Sequence, residues 1–120
     1  MQMTQSQMNA LDVTAFEGFV RRVLVFVDTE CDFSRPYDGS CVPQGAARER
    51  VVRDLLARAR SYGICTELGL VQFVIVGLGY SRTFESLPKV QAMLTHPMRL
   101  PDDSIQQVLN AVIVAEARRA

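Results

Sequence analysis

The sequence predicts an all-α protein, a single compact domain over residues 1–120 with about five helices around a central apolar one. Three observations predict it. Apolar residues recur at three- and four-residue spacings in several segments, residues that start and stop helices bracket those segments, and no two segments read as a pair of strands. An α/β fold is the alternative, since the most apolar segments are also rich in Val and Ile. At 120 residues the chain is long enough to bury one core and too short for two.

The first helix is predicted from Thr4 to about Val27. Thr4-Gln5-Ser6-Gln7 has the S/T-x-x-E/Q form of a capping box, and Met8, Leu11, Ala15, Phe19, Val23 and Phe26 then gather on one face. Within it, VLVFV at Val23 to Val27 also suits a strand. From Asp28 to Gly45 the composition turns to Asp, Ser, Gly and Pro, which predicts a loop. AARERVVRDLLARARSYG follows with Val51, Val52, Leu55, Leu56 and Ala59 in one arc. Arg50, Arg53 and Arg60 stand opposite, with no intrahelical partner expected, and Gly63 suits a left-handed C-cap.

The segment ELGLVQFVIVGLGY, Glu67 to Tyr80, decides the architecture. It is shorter than the roughly 18 to 20 residues a bilayer helix needs, so it is not read as a membrane span. Thr66 as N-cap and Glu67 in the first turn predict a helix, and its apolar residues run almost all the way round, as in a helix packed on several sides. Gly69 and Gly77 count against that reading, each costing a helix interior up to about 1 kcal/mol relative to Ala. In SLPKVQAMLTHP, Ser86 is the expected cap, Pro88 a first-turn residue and Pro97 a stop, with Leu87, Val90, Met93 and Leu94 available for burial. The closing segment PDDSIQQVLNAVIVAEARRA carries Asp102 and Asp103 at its start and Arg118 and Arg119 at its end, matching the helix dipole. Its expected buried stripe is Ile105, Val108, Leu109, Val112 and Ile113. No internal repeat or low-complexity tract interrupts the chain.

The chemistry is sparse. Thirteen basic and thirteen acidic side chains cancel, so no net field points to nucleic acid or anionic lipid. Cys31, Cys41 and Cys65 are odd in number and widely spaced, which predicts reduced thiols. His96 is the only histidine and lies far from all three, so no metal site is expected. Gly77-Leu78-Gly79 lacks the third glycine of a dinucleotide-binding turn and reads as a helix end. No cofactor and no catalytic residue are assigned. MQMTQSQMNALD lacks the basic and apolar regions of a secretory signal, and the expected location is the cytoplasm.

Two resemblances bear on function. VLVFVDTECDF, Val23 to Phe33, resembles the first strand of isochorismatase-like cysteine hydrolases, which would make Asp28 the acidic member of an Asp, Lys, Cys triad. The only lysine is Lys89, however, and no cysteine follows it, so a hydrolase would be degenerate. The second resemblance covers about four fifths of the chain. Gln7 to Leu11, Phe19 to Arg22, Ala59 to Glu67, Phe84 to Pro88 and Met93 to Pro97 resemble the small helical accessory proteins encoded beside type VI secretion effectors, their adaptor chaperones and PAAR or VgrG spike proteins. That resemblance implies a non-catalytic co-chaperone or adaptor that binds the effector or its chaperone. The nearest rival is an immunity protein that neutralises a cognate toxin. Arg50, Arg53 and Arg60 are the expected partner-binding residues, since arginine pairs bidentately with carboxylates and is frequent at binding hot spots.

Overall fold

The computed structural model describes the backbone of residues 5–31 and 42–119, and the side chains of 14–31, 42–115 and 118. Among these residues five α-helices are formed: α1 (Gln5–Glu30), α2 (Gly45–Ser61), α3 (Glu67–Gly79), α4 (Pro88–Leu94) and α5 (Pro101–Arg119), with a 3-10 turn at Phe84–Ser86 before α4. The all-α prediction holds, with no strand among the described residues. The chain divides into two units, Met1–Cys31 and Asp32–Ala120.

The first unit is α1. Its helix runs through Val23–Val27 despite their β-branched content and on to Glu30, three residues past the expected end. The Thr29 hydroxyl donates to the Val25 carbonyl at 2.7 Å, a back-bond that a β-branched hydroxyl residue makes readily inside a helix. The buried positions are Phe19, Val20, Val23 and Val27. The expected stripe was therefore out of phase at both sides, for Ala15 and Phe26 are exposed. Thr4 and the side chains of Met8 and Leu11 lie outside the described residues, as does most of the expected Asp28 to Gly45 loop.

In the second unit α3 is the centre, packed chiefly against α5 and α2, while α4 rests on α5 and the 3-10 turn. α2 buries Val52, Leu55, Leu56 and Ala59, with Val51 half-buried. Each of the three large side chains is worth about 1.5 to 3 kcal/mol on removal from water. The helix ends as its sequence requires. Gly63 takes φ of +89°, its N–H donates to the Arg60 carbonyl at 3.0 Å and the Ile64 N–H to the Ala59 carbonyl at 3.2 Å. That is a Schellman closure, and buried Ile64 and Ala59 supply its apolar contact.

α3 starts at Thr66, whose hydroxyl accepts from the Gly69 N–H at 3.0 Å. Its two glycines are sites of close approach. A β-carbon on Gly77 would lie 2.7 Å from Leu55 Cδ1 and 3.1 Å from its Cγ, so α2 seats a leucine where α3 has no side chain. A β-carbon on Gly69 would lie 2.6 Å from Asp102 Oδ2 and 2.8 Å from Ile64 Cγ2. The propensity lost at both positions is offset by contacts that only glycine permits. Burial does not extend all round α3, for Leu68 is 65% exposed and Val71 and Ile75 are half-buried.

Two expectations about helix ends are corrected. Ser86 does not cap α4: Leu87 holds the N-cap position, and the Ser86 hydroxyl donates back to the Thr83 carbonyl at 2.7 Å within the 3-10 turn. Pro88 stands in the first turn as expected. α4 stops at Leu94, three residues before Pro97, and its buried residue is Leu94, with Val90 and Met93 half-buried and Leu87 exposed. On α5, Ile105 and Val108 are buried, Leu109 and Val112 are half-buried and Ile113 is 56% exposed, so the predicted stripe is too long. Ser104, fully buried, donates from its hydroxyl to the Met93 carbonyl at 2.8 Å and ties α5 to α4.

Asp102 does more than favour the start of its own helix. It accepts from the Thr66 N–H at 3.0 Å, from the Cys65 N–H at 3.3 Å, and from the Thr66 hydroxyl. Its partial burial pushes the carboxyl upward, but the bonds from the Thr66 side chain and from the Thr66, Cys65 and Asp102 amides outweigh that and hold it below the ordinary aspartate value of 3.8. A depressed carboxyl contributes stability that is present above its unfolded value and lost as pH falls through the folded one. Asp102→Ala should therefore lower stability by about 1 kcal/mol at neutral pH, the cost of a lost cap. It should also flatten the acid limb below about pH 4. Thermal melts of both proteins from pH 7 to pH 3 check this; parallel curves would refute it.

Candidate protein-binding surface

The arginines expected to bind a partner lie on the outer side of α2, whose opposite stripe is buried. Arg50 and Arg60 are exposed and Arg53 is half-buried. The expectation that these residues lack intrahelical partners fails at Arg53, whose Nε sits 3.3 Å from Glu49 Oε2, one turn earlier. Glutamate four positions before arginine is a favourable helical pair, and this one was visible in the sequence. At such exposure it is worth a few tenths of a kcal/mol, so it orients the guanidinium more than it stabilises the fold.

The helix also carries an arginine that sequence reasoning missed. Arg58 turns toward the 3-10 turn, where Nη1 donates to the Glu85 carboxylate and Nη2 to the Arg82 carbonyl at 2.8 Å. Its Nε is 3.1 Å from Asp54 Oδ2, close enough for charge attraction but without a hydrogen bond. Glu85 is only 6% exposed, and its Oε2 is buried without a hydrogen-bond partner. Glu85 belongs to the Phe84 to Pro88 segment that carried the secretion-protein resemblance, and here it is part of an internal ion pair.

Other polar residues form local structure. The His96 Nδ1 accepts from the Met98 N–H at 3.0 Å and shapes the turn between α4 and α5. Cys31 is half-buried and Cys65 exposed, both as free thiols, while Cys41 lies outside the described residues. Cys65 Sγ is 3.8 Å from Asp102 Oδ1. Among the described residues no group of three or more His, Cys, Asp or Glu could hold a metal ion. Gly77 and Gly79 close the C-terminal end of α3, where Arg82 Nη1 donates to the Leu78 carbonyl at 3.2 Å and approaches that of Gly77 at 3.4 Å. That end presents carbonyls, which attract cations and repel phosphate. No described helix is long and apolar enough to cross a membrane.

The chain matches no family model, no curated protein and no solved structure. The residue types of α2 favour contact with carboxylates: a planar guanidinium offers paired donors, and a helix fixed by its buried stripe presents them with little further ordering.

Proposed function

We propose that the protein is a non-catalytic binding protein, a cytoplasmic co-chaperone or adaptor for a type VI secretion effector and its adaptor chaperone. It would hold the effector soluble until the effector is loaded on the secretion spike. The observation that supports this reading is the outer face of α2, where exposed Arg50 and Arg60 flank Arg53 on a helix anchored by four buried residues. Its counterpart would be an acidic patch on the effector or the chaperone, reached faster and oriented by charge. Binding of this kind favours whichever partner conformation carries the patch, by mass action. The hydrolase alternative needs an apolar strand ending at Asp28, whereas Val23 to Asp28 lie inside α1.

The test is co-purification with the effector and adaptor chaperone encoded beside it, followed by titration calorimetry. Arg50→Glu with Arg53→Glu should weaken the complex at least tenfold. The same change should cost only about 0.5 kcal/mol of stability, since it replaces the Glu49 pair by a like-charge contact. Unchanged affinity, or no complex with either partner, would overturn the reading. Inhibition of a toxin's activity by the protein alone would replace it with the immunity function.

A further inference from the structure

The second unit contains a groove of about 250 Å3 between α4 and α5, lined also by Tyr80 and Phe84. Its floor is buried, at Phe84 and Val108, and its walls are the half-buried Val90 and Met93 of α4 and Val112 of α5. The space exists because Ala111 and Ala115 stand one turn apart on α5, at the i, i+4 spacing that puts both on the side facing α4. Two methyl groups leave open what two leucines would fill.

Among the described residues, the charged side chain that lines this groove is cationic. Lys89, the only ammonium side chain in the protein, lines it from the first turn of α4. Across from it, Gln107 accepts a bond from Arg99 Nη1 at 2.6 Å, which brings a second cation to the rim. Among the described residues no acidic side chain lines the groove. A groove with so apolar a lining takes apolar ligands, and a few polar groups at its edge select their orientation. Along α5 the lining runs from Gln107 to Ala115, a rise of about 12 Å, which is roughly the length of an extended chain of nine or ten carbons.

We propose that the groove binds a free medium-chain carboxylate, with the alkyl chain lying across Ala111 and Ala115 and the carboxylate against Lys89. The cationic rim distinguishes this occupant from a neutral alkyl compound, which the same walls would hold without head-group selection. The site is independent of the α2 arginine face and stands whether or not that face binds an effector.

Calorimetric titration of the full-length protein with decanoate and with decan-1-ol tests the assignment. Decanoate should bind with one-to-one stoichiometry below its micellar range. Lys89→Gln should weaken decanoate about tenfold and leave decan-1-ol unchanged. Ala111→Leu, which fills the hollow, should abolish both while the thermal midpoint stays level or rises; Ala115→Leu serves the same purpose if the first variant misfolds. Absence of saturable binding, or decanoate affinity unchanged in both Lys89→Gln and the filled variants, would overturn it. So would sedimentation showing a dimer that Ala111→Leu dissociates, which would make the groove an interface between copies.

Discussion

Arg58→Met should destabilise the protein by about 3 kcal/mol, the lower end of the cost of breaking a buried ion pair, because Arg58 keeps more solvent contact than Glu85. Methionine retains the apolar stem, so the loss isolates the charge. Without the guanidinium, the Glu85 carboxyl is left buried with no cation and the Arg82 carbonyl loses a donor. The double variant Arg58→Met with Glu85→Leu should recover most of that stability, since replacing both members by apolar groups removes the desolvation cost along with the attraction. The protein has no tryptophan, so urea unfolding is best followed by far-UV circular dichroism. A single-variant loss under about 1 kcal/mol would mean that the pair contributes nothing measurable.

Phe73→Ala should cost about 4 kcal/mol, within the range for deleting a buried aromatic ring. Phe73 is fully buried in the middle of α3. Its ring centroid lies 4.7 Å from that of Phe84, at 59°, and 6.3 Å from that of Tyr62. Tilted pairs of this kind add to area burial. The three rings join the end of α2, the centre of α3 and the 3-10 turn, and the Tyr62 hydroxyl extends the link to α4 by donating to Gln91 Oε1 at 3.0 Å. A cavity here therefore loosens four elements together. Phe73→Leu should cost roughly a third as much, because most of the volume is kept. Equal losses for the two variants would show that ring geometry, rather than volume, dominates.

What the sequence revealed about this fold was local chemistry. The Thr66 cap on Gly69, the Gly63 turn, Pro88 and the Val52 to Ala59 periodicity are all set within one or two turns, and each reads correctly from its neighbours. The α1 segment Val23 to Val27 was ambiguous because its side chains favour strands while its flanks favour a helix, and no sequence window weighs those two. Ser86 failed for a related reason: an N-cap serine and a 3-10 serine have the same sequence surroundings, and only the direction of the hydroxyl separates them. Long-range partners were invisible. Arg58 meets Glu85 across 27 positions, and nothing near Arg58 distinguishes it from Arg53 or Arg60 on the same helix. The exposure of Ile113 was likewise hidden, since AVIVA on α5 is apolar on every side and the pattern does not say where the core ends. On the candidate surface, the exposure of Arg50 and Arg60 was legible from periodicity. The Glu49 pair of Arg53 was equally legible and was overlooked.

The bonds of Asp102 also span a long stretch of chain. Its backbone donors at Cys65 and Thr66 stand 37 and 36 positions earlier in the chain, so they engage only after everything between has been drawn into a closed loop. Loop closure of that length is entropically costlier than any contact within a single turn. The Thr66 hydroxyl reaches Gly69 across three residues and can hold the first turn of α3 while the rest of the unit is still assembling. A contact formed after the folding barrier slows unfolding and leaves the folding rate nearly unchanged; for Asp102 the expected sign of such a latch is that Asp102→Ala speeds unfolding in stopped-flow measurements without slowing folding.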